Sequence, residues 1–295
     1  MRQKSFEEAG GKLYVVGTPI GNLGDLSDRV RQVLASCDRV AAEDTRHTRK
    51  LLSHLDLSVP SISYHEHNRY SRLSELIEGL RGGERIALVS DAGMPGLSDP
   101  GEELIREAVE EGIPVIPIPG PNAALSAVVA SGLSPQPFVF IGFLPRHGKE
   151  RIGELKKWAP TPATLVFYEA PHRIQPMLKD VKEVLGDRRV AVARELTKRH
   201  EEWLRGTVSD CLTWFQQEKP RGEMTVVVEG ASEEGAKEKT TPWWEALTVT
   251  EHVDWHVHRG KGKKEAIKAV ALERSLPKRE VYHTYHRGDE SAGNP

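Results

Sequence analysis

Lys198 and Glu195 follow the apolar run 190–194, which Arg194 ends, and either side chain type can take a proton from a hydroxyl. A lysine does so when burial lowers its pKa, a glutamate when it stays ionised. The competing reading for each is an internal Arg–Glu ion pair, since charged groups inside a protein are seldom unpaired. Glu169, His172 and Arg173 follow the apolar run 164–168 in the same way, and Glu43, Asp44 and Arg46 follow the run 39–42. Polar clusters at the ends of such runs commonly face a cleft, where these side chains would position a substrate and Arg46 would meet a phosphate. Asp44 or Thr45 serves equally well as the N-cap of the helix that starts there.

Histidines invite a metal reading. His65 and His67 would share one face of a strand, and His252 and His256 one face of a helix, but neither pair has a third ligand at suitable spacing. No metal site is expected. Cys37 and Cys211 are far apart in sequence, which excludes a disulfide-dense fold and suits a reducing compartment.

Side chains of this kind need a frame that brings them to one edge. Apolar strand-like runs at 13–16, 39–42, 62–64, 85–89, 115–118 and 138–143 alternate with helical spacing such as Val30, Val33, Leu34, Cys37 or Leu73, Leu76, Ile77, Leu80. That alternation predicts an α/β fold, a mostly parallel sheet with helices on both faces. Three strands run into glycine- and proline-rich loops: GTPIGNLGD (17–25), SDAGMPGLSDPG (90–101) and PIPGPNAA (117–124). Glycine admits close backbone approach and proline stiffens the loop, so the three read as walls of one ligand cleft, with Asn122 able to cap the next helix.

A polar break at 146–149 suggests that a first domain, 12–145, ends there and a second α/β domain, 146–230, follows a short flexible N-terminus, 1–11. Residues 231–241 are small and charged and read as a linker. The tail, 242–295, carries helical segments near 243–257, 263–274 and 278–286. Between Arg259 and Arg279 it holds eight Lys or Arg against Glu265 and Glu273. Such a helix-turn-helix-like unit suits phosphate contacts, for which Lys263 and Lys264 are candidates; the alternative is an ordinary solvated face.

At 295 residues, 38% hydrophobic and 28% charged with net charge -2, the chain is an ordinary globular protein in which any polyanion site must be local. No run approaches a membrane span and the N-terminus has no signal-like apolar core, so a cytoplasmic protein is expected. Neither the dinucleotide fingerprint G-x-G-x-x-G nor the P-loop pattern occurs.

Taken together, GTPIGNLGD, AAEDTR (41–46), SDAGMPGLSDPG, PIPGP (117–121), GFLP (142–145), FYEAPHR (167–173), ARELTK (193–198) and GEM (222–224) stand in family order across nearly the whole chain. They resemble the tetrapyrrole methylase superfamily, and within it the ribosomal small-subunit RNA methyltransferase I family. The resemblance implies two α/β domains with S-adenosyl-L-methionine in the cleft between them, a small helical C-terminal domain, and a homodimer. It also implies 2'-O-methylation of a cytidine in the decoding region of 16S rRNA. Carried over position by position, the cofactor would lie against Pro19, Ile20, Asp91, Ala92, Gly93, Met94, Asn122 and Ala123. Tyr168, Leu196 and Met224 would close its adenine and ribose side. A methylase of a tetrapyrrole or of a protein side chain would not need the basic tail, and a noncatalytic RNA-binding protein would not need the three loops.

Overall fold

The structure, a computed structural model, describes residues 3, 5, 10–97, 101–232 and 244–290, the last four by backbone alone. Most of the expected N-terminal arm and linker, together with Ser98, Asp99, Pro100 and Trp243, lie outside the described residues. The chain divides into two compact units, Met1–Ser232 and Glu233–Pro295.

The first unit begins with a five-stranded, wholly parallel sheet. Its strands β1 (Lys12–Val16), β2 (Arg39–Ala42), β3 (Ser61–Ser63), β4 (Arg85–Val89) and β5 (Val115–Ile118) stand in the order β3-β2-β4-β1-β5. Parallel strands are covered on both sides, and successive side chains point to opposite faces. Val16, Val40 and Val89 therefore meet helices α1 (Asp28–Ser36) and α2 (Thr45–His54) through Val30, Leu34 and Leu52. Leu13, Ala41, Ile86 and Leu88 meet α3 (Arg69–Arg81) and α4 (Glu102–Glu110) on the other face.

The second sheet is mixed. Strands β6 (Phe138–Phe143), β7 (Thr164–Glu169), β8 (Arg189–Arg194), β9 (Glu202–Thr207) and β10 (Met224–Val228) run in the order β6-β7-β10-β8-β9, and only β6 and β7 pair in parallel. Helices α6 (Gly148–Trp158), α7 (Ile174–Leu185) and α8 (Val208–Gln217) bury Leu155, Met177, Leu178 and Phe215 on one face. The opposite face is covered by α5 (Ala123–Ala130), which leaves the first sheet and lays Ala124, Ala127 and Val128 on Val166, Ala191 and Val227. Small alanines let this helix sit close to the strands.

Strand β6 pairs with β7, so the polar stretch at 146–149 is the turn into α6 and the boundary expected at 145/146 falls within the second sheet's half. Strand β9 and helix α8 are divided by a capping box in which Thr207 and Asp210 bond each other's backbone N–H.

The second unit holds α9 (Val249–His258), α10 (Lys263–Glu273) and α11 (Lys278–Glu290) around Val253, Ile267, Val270, Val281 and Tyr285. His252 is fully buried; its Nε2 lies 2.8 Å from Glu273, and Arg274 donates to its Nδ1 at 3.1 Å. Burial disfavours the imidazolium more than Glu273 favours it, so the His252 pKa lies below its ordinary 6.5. A depressed histidine pKa means that the unfolded chain binds the proton more readily, so this contribution is complete above the unfolded value and lost as pH falls through the folded one. Amide protection in α9 and α10, corrected for intrinsic exchange, is expected to drop as pH falls below the ordinary histidine value of about 6.5, and His252→Gln to flatten the change. Protection independent of pH would contradict this. Among the described residues no helix is long and apolar enough to cross a membrane.

Candidate active site

The loops after β1, β4 and β5 are tied into one wall by backbone. Thr18 and Gly93 exchange N–H···O bonds at 2.9 and 3.2 Å, and the Thr18 hydroxyl donates to the Ser90 carbonyl at 3.1 Å. Gly17 and Gly120 touch so closely that a Cβ on either would stand 2.7 Å from the other's Cα. Gly93 has φ +85°, a conformation that side chains disfavour. Asn122 caps α5 by accepting from Leu125 N–H at 2.9 Å, and the preceding N–H, of Ala124, donates to the Tyr168 hydroxyl at 3.2 Å.

These loops and the ends of β7, β8 and β10 enclose a cavity of about 490 Å³. Ile20, Asp91, Ala92, Gly93, Met94, Asn122, Ala123, Tyr168, Leu196 and Met224 all line it, so ten of the side chains or backbones singled out for a cofactor surround one space. Pro19 lies instead on a second cavity of about 340 Å³, whose wall also includes Ile20, Asp91 and Ala92. Leu97, Phe143, Ala193 and Thr225 line the first cavity too and were not marked in the sequence. Phe143 meets the Tyr168 ring edge-on at 5.7 Å; it escapes notice because β6 reads as part of the first sheet.

Lys198 stands in the walls of both cavities, as does Glu223. Its ammonium donates to Glu195 at 2.9 Å and to Glu223 at 2.8 Å. The turn that delivers it is held in an uncommon conformation, with Glu195 at φ 53° and Thr197 at φ 66°; such strain tends to collect at functional sites. Burial pulls the Lys198 pKa down, but the bonds and charges of Glu223 and Glu195 outweigh it, and the net shift is upward. Lys198 is therefore a cation, not the lowered-pKa base expected from its position. Burial pushes Glu195 up, while the Glu223 N–H and Lys198 pull it further down, so it is ionised. Glu195 lines neither cavity: its carboxylate holds Lys198 and the backbone of Glu223, the group that sequence reasoning missed.

The remaining candidates separate. Glu43 lines the first cavity and lies 3.3 Å from the Asp91 N–H. Asp44 is an N-cap: it accepts from the Arg46 N–H at 2.8 Å and pairs with the same residue's guanidinium, which holds its carboxyl well below the usual range. Arg46 remains exposed at the start of α2. His172 is exposed and lines neither cavity. Arg173 turns inward, donating to the carbonyls of Leu144 at 2.7 Å and Pro145 at 3.2 Å and standing 3.2 Å from the buried Glu169, so it braces the β6–α6 turn and does not reach for substrate. Burial pushes the Glu169 pKa up against the pull of the Ala170 N–H and Arg173. Lys263 and Lys264 are exposed at the start of α10. Tertiary packing also brings Glu273 to within 3.1 Å of His256 as well as 2.8 Å of His252, a third possible ligand that spacing along the chain did not show. With Arg274 donating to Nδ1, the His252 proton sits on Nε2 toward Glu273, which makes the trio a brace between α9 and α10.

Residues 12–211 match the family described as Tetrapyrrole (Corrin/Porphyrin) Methylases. The chain belongs to that family. Within the methylases it is 49% identical, over 97% of this chain and 98% of the relative, to the Ribosomal RNA small subunit methyltransferase I of Bacillus subtilis (strain 168). The protein of the same name from Synechocystis is 44% identical over 92% of this chain and 96% of its own. The methyltransferase CobJ shares the fold at TM-score 0.58 with 19% identity, covering 75% of this chain and 95% of its own. Uroporphyrin-III-C-methyltransferase from Thermus thermophilus does so at TM-score 0.51 with 21% identity, covering 74% and 94%. This methylase is an enzyme, and the methyl donor of its family is S-adenosyl-L-methionine.

Proposed function

We propose that this methylase transfers a methyl group from S-adenosyl-L-methionine to the ribose 2'-hydroxyl of a cytidine in the decoding region of 16S rRNA, on the assembled small subunit, acting in the cytoplasm as a homodimer. One observation carries the choice of rRNA over a tetrapyrrole. The family match stops at residue 211 and the tetrapyrrole enzymes leave about a quarter of the chain unmatched, whereas the relatives named for small-subunit rRNA match 97% of it, basic tail included.

The first cavity fits the cofactor. Its volume is that of a small-molecule site, and Gly93, at φ +85°, presents backbone in its wall beside Ile20, Met94 and Asn122. Tyr168, Leu196, Met224 and Phe143 offer apolar surface for an adenine, and the Ala123 end of α5 favours a carboxylate. When bound, the cofactor supplies an electrophilic methyl group on a sulfonium. The chain's own part is to hold the hydroxyl in line, exclude water and take up its proton. Lys198, as an ammonium in the wall of both cavities, favours negative charge developing on the attacking oxygen. Glu223, held by Lys198, is placed to accept the proton, and Glu195 fixes both.

The expected result is saturable binding of S-adenosylmethionine by the purified protein, and transfer of radiolabelled methyl to small subunits from a strain lacking the modification, but little to porphyrinogens. Labelling of porphyrinogens alone would reverse the assignment. Binding without transfer to either would leave it without a substrate and defeat it.

A further inference from the structure

The second cavity adjoins the first and shares Ile20, Asp91, Ala92, Lys198 and Glu223 with it, but its far side belongs to α2, through His47, Lys50 and Leu51. Helix α2 is unusual in this acidic-to-neutral chain. Arg46, His47, Arg49 and Lys50 are all exposed, and from Thr45 to His54 no acid interrupts them. Arg46 is engaged by Asp44, whereas His47 leans on Asp91, 3.3 Å away, a residue of the shared wall. A helix face of this sign, running beside a cavity whose other end is the Lys198–Glu223 pair, suits a ligand that is neutral and insertable at one point and anionic along its length.

We propose that the second cavity admits the acceptor nucleotide of a ribose–phosphate chain, with His47 and Lys50 as positioning residues and the exposed basic face of α2 carrying the flanking phosphates. This rests on the rRNA reading and adds the route by which the nucleotide comes in. The acceptor thus arrives from the α2 side and the methyl donor lies in the first cavity, with Lys198 in the walls of both. A nucleotide held in a pocket of this kind is turned out of its stack, and exposed single-stranded positions pay least for that.

The test uses the full-length protein and small subunits from an unmethylated strain, with His47→Ala and Lys50→Ala made singly and together. Both side chains are exposed, so folding is retained, and S-adenosylmethionine affinity measured by calorimetry verifies it. The double variant is expected to raise KM for subunits about 10-fold or more, with kcat changed less than about 2-fold and cofactor affinity unchanged. The slope of log KM against log salt should also become shallower by about 0.7–0.9 for the lost lysine contact. An unchanged KM and salt slope, with wild-type enzyme active, would overturn this inference alone. Loss of cofactor affinity in the variants would also overturn it, since the second cavity would then belong to the donor. Wild-type protein that labels no subunits at all would instead defeat the rRNA reading on which it stands.

Discussion

Lys198→Met is expected to cut methyl transfer to small subunits by about 10²–10³-fold in kcat, the usual loss when a preorganised charge facing the developing oxyanion is removed. Affinity for S-adenosylmethionine should stay within a few-fold, because the cofactor cavity is walled chiefly by backbone and apolar groups. The pH profile distinguishes the cationic role from a basic one. The Lys198 pKa is raised from 10.5 by Glu223 and Glu195 despite burial, so its charge is complete throughout the neutral and mildly alkaline range and fades only above it. The rate should show no rising limb that belongs to lysine deprotonation. A limb near neutrality that vanishes in Lys198→Met would restore lysine as the base and displace Glu223. Glu223→Gln gives the complementary result: a large fall in kcat with the rest of the pocket intact.

The second large effect is at Gly120→Ala. The new Cβ would stand 2.7 Å from the Gly17 Cα and 2.8 Å from its carbonyl carbon and oxygen, backbone atoms with no rotamer to yield. The loops after β1 and β5 must part, which displaces Ile20, Asn122 and Ala123, the residues those loops place in the wall of the cofactor cavity. Overpacking of this sort costs about 1–3 kcal/mol, equivalent to about 5- to 150-fold in cofactor affinity if the distortion is confined to the loops, and the backbone collision argues for the upper end. Calorimetric titration with S-adenosylmethionine reads the loss directly. Gly153→Ala is the control: it lies in α6 with nothing within 4 Å of the added Cβ, and it should leave affinity alone while adding about 0.5–1 kcal/mol of stability. Native affinity in Gly120→Ala would show that the Gly17–Gly120 contact does not shape the site.

Much of this was legible in the residues, because it depends on local chemistry. Apolar runs with period two or continuous burial made the strands, 3.6-residue spacing made the helices, and glycine with proline after β1, β4 and β5 marked the walls of the cavity. Asn122 as a helix cap and Asp44 as another follow from side chains that bond their own neighbouring backbone. The eight ordered motifs carried the family. Less legible was anything set by pairing across the chain. An apolar strand such as β6 does not announce its sheet, since its partner β7 is chosen by register and by the helices that cover it, and with it Phe143 went unnoticed.

Residue types, their local order and the loops they form were thus decided by the chain as written: a lysine near the end of β8, glycines where backbone must approach backbone, a basic tail and a basic α2. Tertiary structure alone decided that Lys198 meets Glu223, 25 residues away, and is therefore charged; that Arg173 faces inward while Lys50 faces a cavity; and that Glu273 closes on two histidines. The reason is that a charge state or a ligand contact depends on distance and dielectric through space, and neither is a property of position along the chain.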